Sequence, residues 1–105
     1  MYVVNKPHPA IYEAFLATEG LFGATQEDLV SSNRHEPLAS VRALVCCILH
    51  IEMWVSVNQC ADAMHRSRES ITYYLSKHPD RMETDKEYRE SYEALKFRVE
   101  RKQWI

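Results

Sequence analysis

Apolar residues recur along this chain at helix-face spacings, and the runs between them are short and polar. Ile11, Tyr12, Phe15 and Leu16 form the first such stripe after Pro9, a residue suited to a first helical turn, and Gly20 and Gly23 close it. Thr25-Gln26-Glu27-Asp28 reads as a second helix start, with Thr25 capping free N–H groups and the acids placed at the positive helix end. After a polar loop, Asn33-Arg34-His35-Glu36, Pro37 opens a central helix carrying Leu38, Val41, Leu44, Val45, Ile48 and Leu49. Apolar residues surround most of that helix, which predicts a buried backbone for the fold, with Arg42 and His50 as its polar exceptions.

Ser56-Val57-Asn58-Gln59 has the form of a capping box, in which Ser56 and Gln59 satisfy each other's end groups. A short helix follows, with Val57, Cys60, Ala61 and Met64 facing inward. His65-Arg66 makes a turn. Ser67 caps a further helix with Ile71, Tyr74 and Leu75 inward, and Pro79 is expected to end it. Thr84 to Glu87 reads as another capping box, followed by Tyr88, Tyr92, Leu95 and Val99 on one face of a C-terminal helix. Trp54, between the central helix and the next, is expected in the core, whereas Trp104 near the end is a candidate surface residue.

These elements predict one all-α domain over residues 1–105, a small bundle of about six helices containing a helix-turn-helix at about 57–77, after a lead-in at 1–8. With 2 glycines and 4 prolines, the composition disfavours a turn-rich β sandwich. No apolar run approaches the roughly 20 residues of a membrane helix, and no signal-peptide pattern stands at the N-terminus. The expectation is therefore a cytoplasmic protein without a membrane association. Cys46, Cys47 and Cys60 form neither a disulfide framework nor a Cys-x-x-Cys pair, so they read as buried free thiols, with no metal and no cofactor. His50 and the Cys60/His65 pair lack a third catalytic partner, and no enzyme is expected.

The formal net charge of -2 is unusual for a nucleic-acid binder, but its distribution is uneven. Residues 1–33 set Lys6 alone against Glu13, Glu19, Glu27 and Asp28, while residues 34–81 set Arg34, Arg42, Arg66, Arg68, Lys77 and Arg81 against Glu36, Glu52, Asp62, Glu69 and Asp80, with four of the five histidines. In the second helix of the 57–77 motif, Arg68, Glu69, Thr72, Tyr73 and Ser76 face outward, with Ser67 and Ser70 at its start. Arginine donates two hydrogen bonds to a guanine edge, hydroxyls reach bases or phosphates, and the helix start favours a phosphate oxygen. Glu69 repels phosphate but accepts from a cytosine amino group.

From about Ala24 to Val99 the pattern resembles the C-terminal DNA-binding domain of the bacterial replication initiator DnaA. The likeness is carried by Ala24 to Leu29, the loop Ser32-Asn33-Arg34-His35, Arg42 opening a long apolar helix, Ser56 to Met64, and Asp85 to Leu95. It implies a Trp-repressor-like fold that binds double-stranded DNA, in replication or transcription control. Arg34 would enter the minor groove. Ser67, Arg68, Glu69 and Ser70 would stand where the family's major-groove signature stands, and His35 and Arg42 would contact the DNA backbone. Arg66, Thr72, Tyr73 and Lys77 complete the expected DNA-binding set. The family's double-glycine turn is here His65-Arg66, and Arg68 and Glu69 replace its histidine and first threonine. No Walker motif is present, so no nucleotide is expected, and the source fits a phage, plasmid or mobile-element protein that borrowed the domain. The alternative is a helical protein-interaction module, with a homodimer or another protein in place of DNA, anchored by Trp54, Trp104 and the tyrosines.

Overall fold

The computed structural model describes residues 9–32 and 37–103. Among these residues six α-helices run in order: α1 (Pro9–Phe22), α2 (Gln26–Val30), α3 (Leu38–Cys47), α4 (Val57–Met64), α5 (Arg68–Thr84) and α6 (Lys86–Gln103). Among the described residues there is no strand. The all-α bundle is therefore as expected.

The central helix α3 is the hub. Every residue from Val41 to Leu49 is buried, and α1, α2, α5 and α6 all pack on this stretch. Its α-helical hydrogen bonding gives way at Ile48–Glu52 to a wider, π-helical turn. Val55 N–H then donates to Leu49 O at 2.9 Å, and His50 Nδ1 lies 2.9 Å from Val55 O, so the chain folds back on itself. His50 is thus a structural residue that fastens this turn.

Around α3, local chemistry places the ends. Thr25 and Asp28 form a reciprocal capping box on α2, and Ser56 and Gln59 do so on α4. Gly23, at φ 75°, ends α1 in the left-handed region that glycine adopts without a steric penalty. Gly20 lies inside α1 instead of closing it. A β-carbon there would stand 3.1 Å from the Arg98 guanidinium, so its hydrogen leaves room for that side chain of α6 to lie across α1. On α6, Tyr88, Tyr92, Leu95 and Val99 are buried, as their spacing predicts.

Four expectations are corrected. The inward stripe of α1 is Ala10, Ile11, Ala14, Phe15, Ala17 and Thr18, while Tyr12 and Leu16 are exposed. They lie about 100° around the helix from Ile11 and Phe15, and the small alanines do the packing. Helix α5 does not stop at Pro79 but continues to Thr84. The proline is exposed, and contacts on both sides of it hold the helix together: His78 Nδ1 lies 2.9 Å from the Tyr88 hydroxyl, and Arg81 sits over the Tyr88 ring. The cap of α6 falls one residue later than expected, with Asp85 Oδ1 accepting from Tyr88 N–H at 3.0 Å. Trp54, expected in the core, is 89% exposed.

Candidate nucleic-acid interface

The motif region is built from α4, a three-residue turn and α5. The turn is a Schellman motif: Arg66 N–H donates to Ala61 O at 3.0 Å, and His65 N–H to Asp62 O at 3.3 Å. His65 occupies the left-handed position (φ 53°, ψ 46°) at which glycine is the usual residue. Ser67 then caps α5, accepting from Ser70 N–H at 3.1 Å. Cys60, Ala61 and Met64 of α4 and Ile71 of α5 are buried, with Tyr74 and Leu75 half-buried, so these residues hold the two helices against the core.

That packing fixes which side of α5 faces out. Arg68, Glu69, Thr72, Tyr73, Ser76 and Lys77 are all exposed, on the side opposite Ile71 and Tyr74. The first five, Lys77 apart, line a shallow depression of about 400 Å³. The Lys77 ammonium stands 5.6 Å from the centre of the Tyr73 ring. Thr72 Oγ1 donates to Arg68 O and Ser76 Oγ to Tyr73 O, leaving oxygen lone pairs outward as acceptors. Among the described residues, neither the Arg68 guanidinium nor the Glu69 carboxylate has an ion-pair partner.

The remaining expected cations behave differently. Arg42 is only 2% exposed. Its Nε donates to Leu29 O at 2.7 Å, and Nη2 to Asp28 O and Ser31 O at 3.1 and 3.0 Å. It therefore closes the C-terminal end of α2, where carbonyls have no intrahelical donor, and it does not stand out as the DNA-backbone contact the resemblance implies. Burial lowers its pKa, and the neighbouring Arg66 charge lowers it further. Arg66 is half withdrawn too, with Nη2 donating to Ser31 O at 2.6 Å and Nη1 to Met64 O and His65 O at 3.3 Å. Together with Ser67, Glu69, Ser70 and Tyr73, these two arginines line a cleft of about 690 Å³ between the motif turn and the start of α3. Arg34, His35 and Trp104 lie outside the described residues.

No other chemistry gathers in the described residues. They contain no group of three or more His, Cys, Asp or Glu able to hold a metal, and no helix long and apolar enough to cross a membrane. Cys46, Cys47 and Cys60 are buried free thiols. Burial pushes Cys47 and Cys60 up to about 11, the opposite of what an activated thiolate needs. Trp54, placed in the core from its position between two helices and on the surface only in the protein-interaction alternative, is exposed although Met53 and Val55 on either side are buried. No protein-family profile, no curated protein and no solved structure matches the chain.

Proposed function

We propose that this protein binds double-stranded DNA, with α5 lying in the major groove as the second helix of a helix-turn-helix. The observation that carries the reading is the outward face of the first turns of α5. Two cations, Arg68 and Lys77, stand there with the hydroxyls of Thr72, Tyr73 and Ser76, and Glu69 is the one acid among these residues. Arg68 is free of any intramolecular carboxylate among the described residues, so no internal ion pair has to break before it meets a guanine edge. Ser67 and Ser70 at the helix start suit a phosphate oxygen.

The mode of binding is the one the resemblance to the DnaA C-terminal domain implies, but the target is not. Arg68 and Glu69 replace two signature residues of the family's major-groove contact, so a different target sequence is expected. A role in replication or transcription control follows from this reading, with no catalytic step. The test is duplex binding measured against salt. Affinity should fall steeply with ionic strength, because phosphate contacts release counterions. Arg68→Ala should weaken binding by about 1–3 kcal/mol and relax the sequence preference found by selection from a random duplex library. Failure of the wild-type protein to bind any duplex at low salt would reject the reading.

One observation favours a second reading, a protein-interaction module. Tyr12 on α1 and Phe97 on α6, two helices that pack together, are each 62% exposed. A homodimer detected by sedimentation and lost in Tyr12→Ser, with no affinity for duplex DNA, would favour it.

A further inference from the structure

Trp54 is held in a posture that packing alone does not explain. Its side chain is 89% exposed, and its backbone sits at φ 62°, a region disfavoured for a bulky residue. Exposure of the indole forgoes the stabilisation its burial would give, and a left-handed backbone at a bulky residue is strained. The posture is nevertheless rigidly imposed. Met53 and Val55, on either side, are 5% and 1% exposed. Val55 is also fastened at both backbone groups, its N–H to Leu49 O and its carbonyl to His50 Nδ1. The indole is therefore presented to solvent by a clamped turn.

Its surroundings indicate the partner. Trp54 lies two residues before Ser56, the cap of α4, and the exposed neighbours Ser56, Asn58 and Gln59 are neutral and polar. Between Met53 and Ala61 the chain carries no acid. Glu52, the nearest carboxylate along the chain, is engaged by the Tyr92 hydroxyl at 2.7 Å and by Lys96 at 3.8 Å. A polyanion thus meets no free carboxylate from the chain directly around the indole, and the exposed Asp62 stands near the other end of α4. The eight residues of α4 make a rod about 12 Å long, comparable to the width of the major groove. With the start of α5 in the groove, the other end of α4 reaches the phosphodiester strand that walls it, as the first helix of such a pair does.

We propose that Trp54 is a backbone contact to duplex DNA, its indole lying on a deoxyribose of that wall and its Nε1–H donating to a phosphate oxygen. The inference rests on the DNA-binding reading and adds a contact residue on the element before the motif.

The test is Trp54→Gly, which removes the side chain and suits the left-handed backbone. Its thermal midpoint should equal or exceed that of the wild type, while its affinity for a labelled random-sequence duplex falls about tenfold, within the range known for aromatic contacts to nucleic acid. The salt slope should stay unchanged, because no charge is lost, whereas an arginine that contacts phosphate lowers the slope when removed. In a Trp104→Phe background, Trp54 emission should be quenched on adding duplex. Wild-type binding with equal affinity in Trp54→Gly overturns this inference and leaves the DNA reading intact. No duplex binding by the wild type at low salt overturns both. A variant that loses self-association, and loses DNA affinity only through it, assigns the indole to a second copy of the chain and overturns the contact proposed here.

Discussion

Arg42 and Arg66 share one acceptor: the Ser31 carbonyl oxygen lies 3.0 Å from Nη2 of the first and 2.6 Å from Nη2 of the second. One backbone oxygen thereby ties the end of α2 both to α3 and to the turn between α4 and α5. The two guanidiniums differ in what their loss exposes. Without Arg42, the Leu29 carbonyl loses a buried donor and the Asp28 carbonyl loses a half-buried one, keeping that of Ser31. Arg42→Ala should therefore cost about 2–4 kcal/mol of stability, and Arg42→Lys most of that, since an ammonium lacks the planar fork. Arg66→Ala should cost only about 1 kcal/mol, because water reaches that half-exposed site. Urea unfolding of the three variants checks the order, and an Arg42→Ala variant as stable as Arg66→Ala would refute it.

His65 keeps a left-handed backbone without a glycine. An L-residue there costs about 1–2 kcal/mol relative to glycine, part of which the greater entropy of an unfolded glycine takes back. His65→Gly should thus stabilise the protein by about 1 kcal/mol, read as a rise in the urea midpoint. A fall in the midpoint would mean that the imidazole makes a stabilising contact the backbone argument ignores.

Pro79 interrupts the hydrogen-bond ladder of α5, which continues to Thr84 because its last turns pack on α6. An interior proline costs about 3 kcal/mol of helix stability, and contacts of the last turns with α6 offset part of it. Pro79→Ala should raise stability by about 1–2 kcal/mol. No gain in thermal unfolding would show that the helix is built around the proline.

His78 gives a pH dependence whose direction is fixed by its surroundings. Burial between Tyr88 and Tyr92 pushes its pKa below the usual 6.5, with Arg81 adding to the effect and Glu52 opposing it. The unfolded chain then binds a proton that the folded chain resists. Stability is complete above about pH 6.5 and falls as the pH drops from there toward the folded-state pKa, with a slope of at most about 1.4 kcal/mol per pH unit. His78→Gln should flatten that segment of a stability-against-pH curve. A curve with the same slope in the variant would place the titration on another group.

What the sequence revealed was mostly local. The capping chemistry of Thr25 and of Ser56 with Gln59 acts over three residues, and the stripe of Tyr88, Tyr92, Leu95 and Val99 follows from a single period, so both could be read without coordinates. Arg42 was misjudged because its partners, the carbonyls of Asp28 and Leu29, are set by how α2 meets α3, and no pattern along the chain encodes that meeting. Pro79 was read by its local penalty, which packing on α6 overrides. Trp54 was assigned by apolar character, but the π-helical turn before it changes the register in which side chains face the core.

That wide turn at Ile48–Glu52 has a geometric consequence of its own. A π-turn is what an α-helix becomes when one residue is added between fixed ends, and each helical residue advances the chain by about 1.5 Å and swivels it by about 100°. The direction in which α4 departs, and with it the aim of α5, is thus governed by the number of residues in this turn. Inserting or removing a single residue here pulls Cys60, Ala61, Met64 and Ile71 out of step with the core they are buried in, so the length of this turn and the packing that aims α5 are locked to each other.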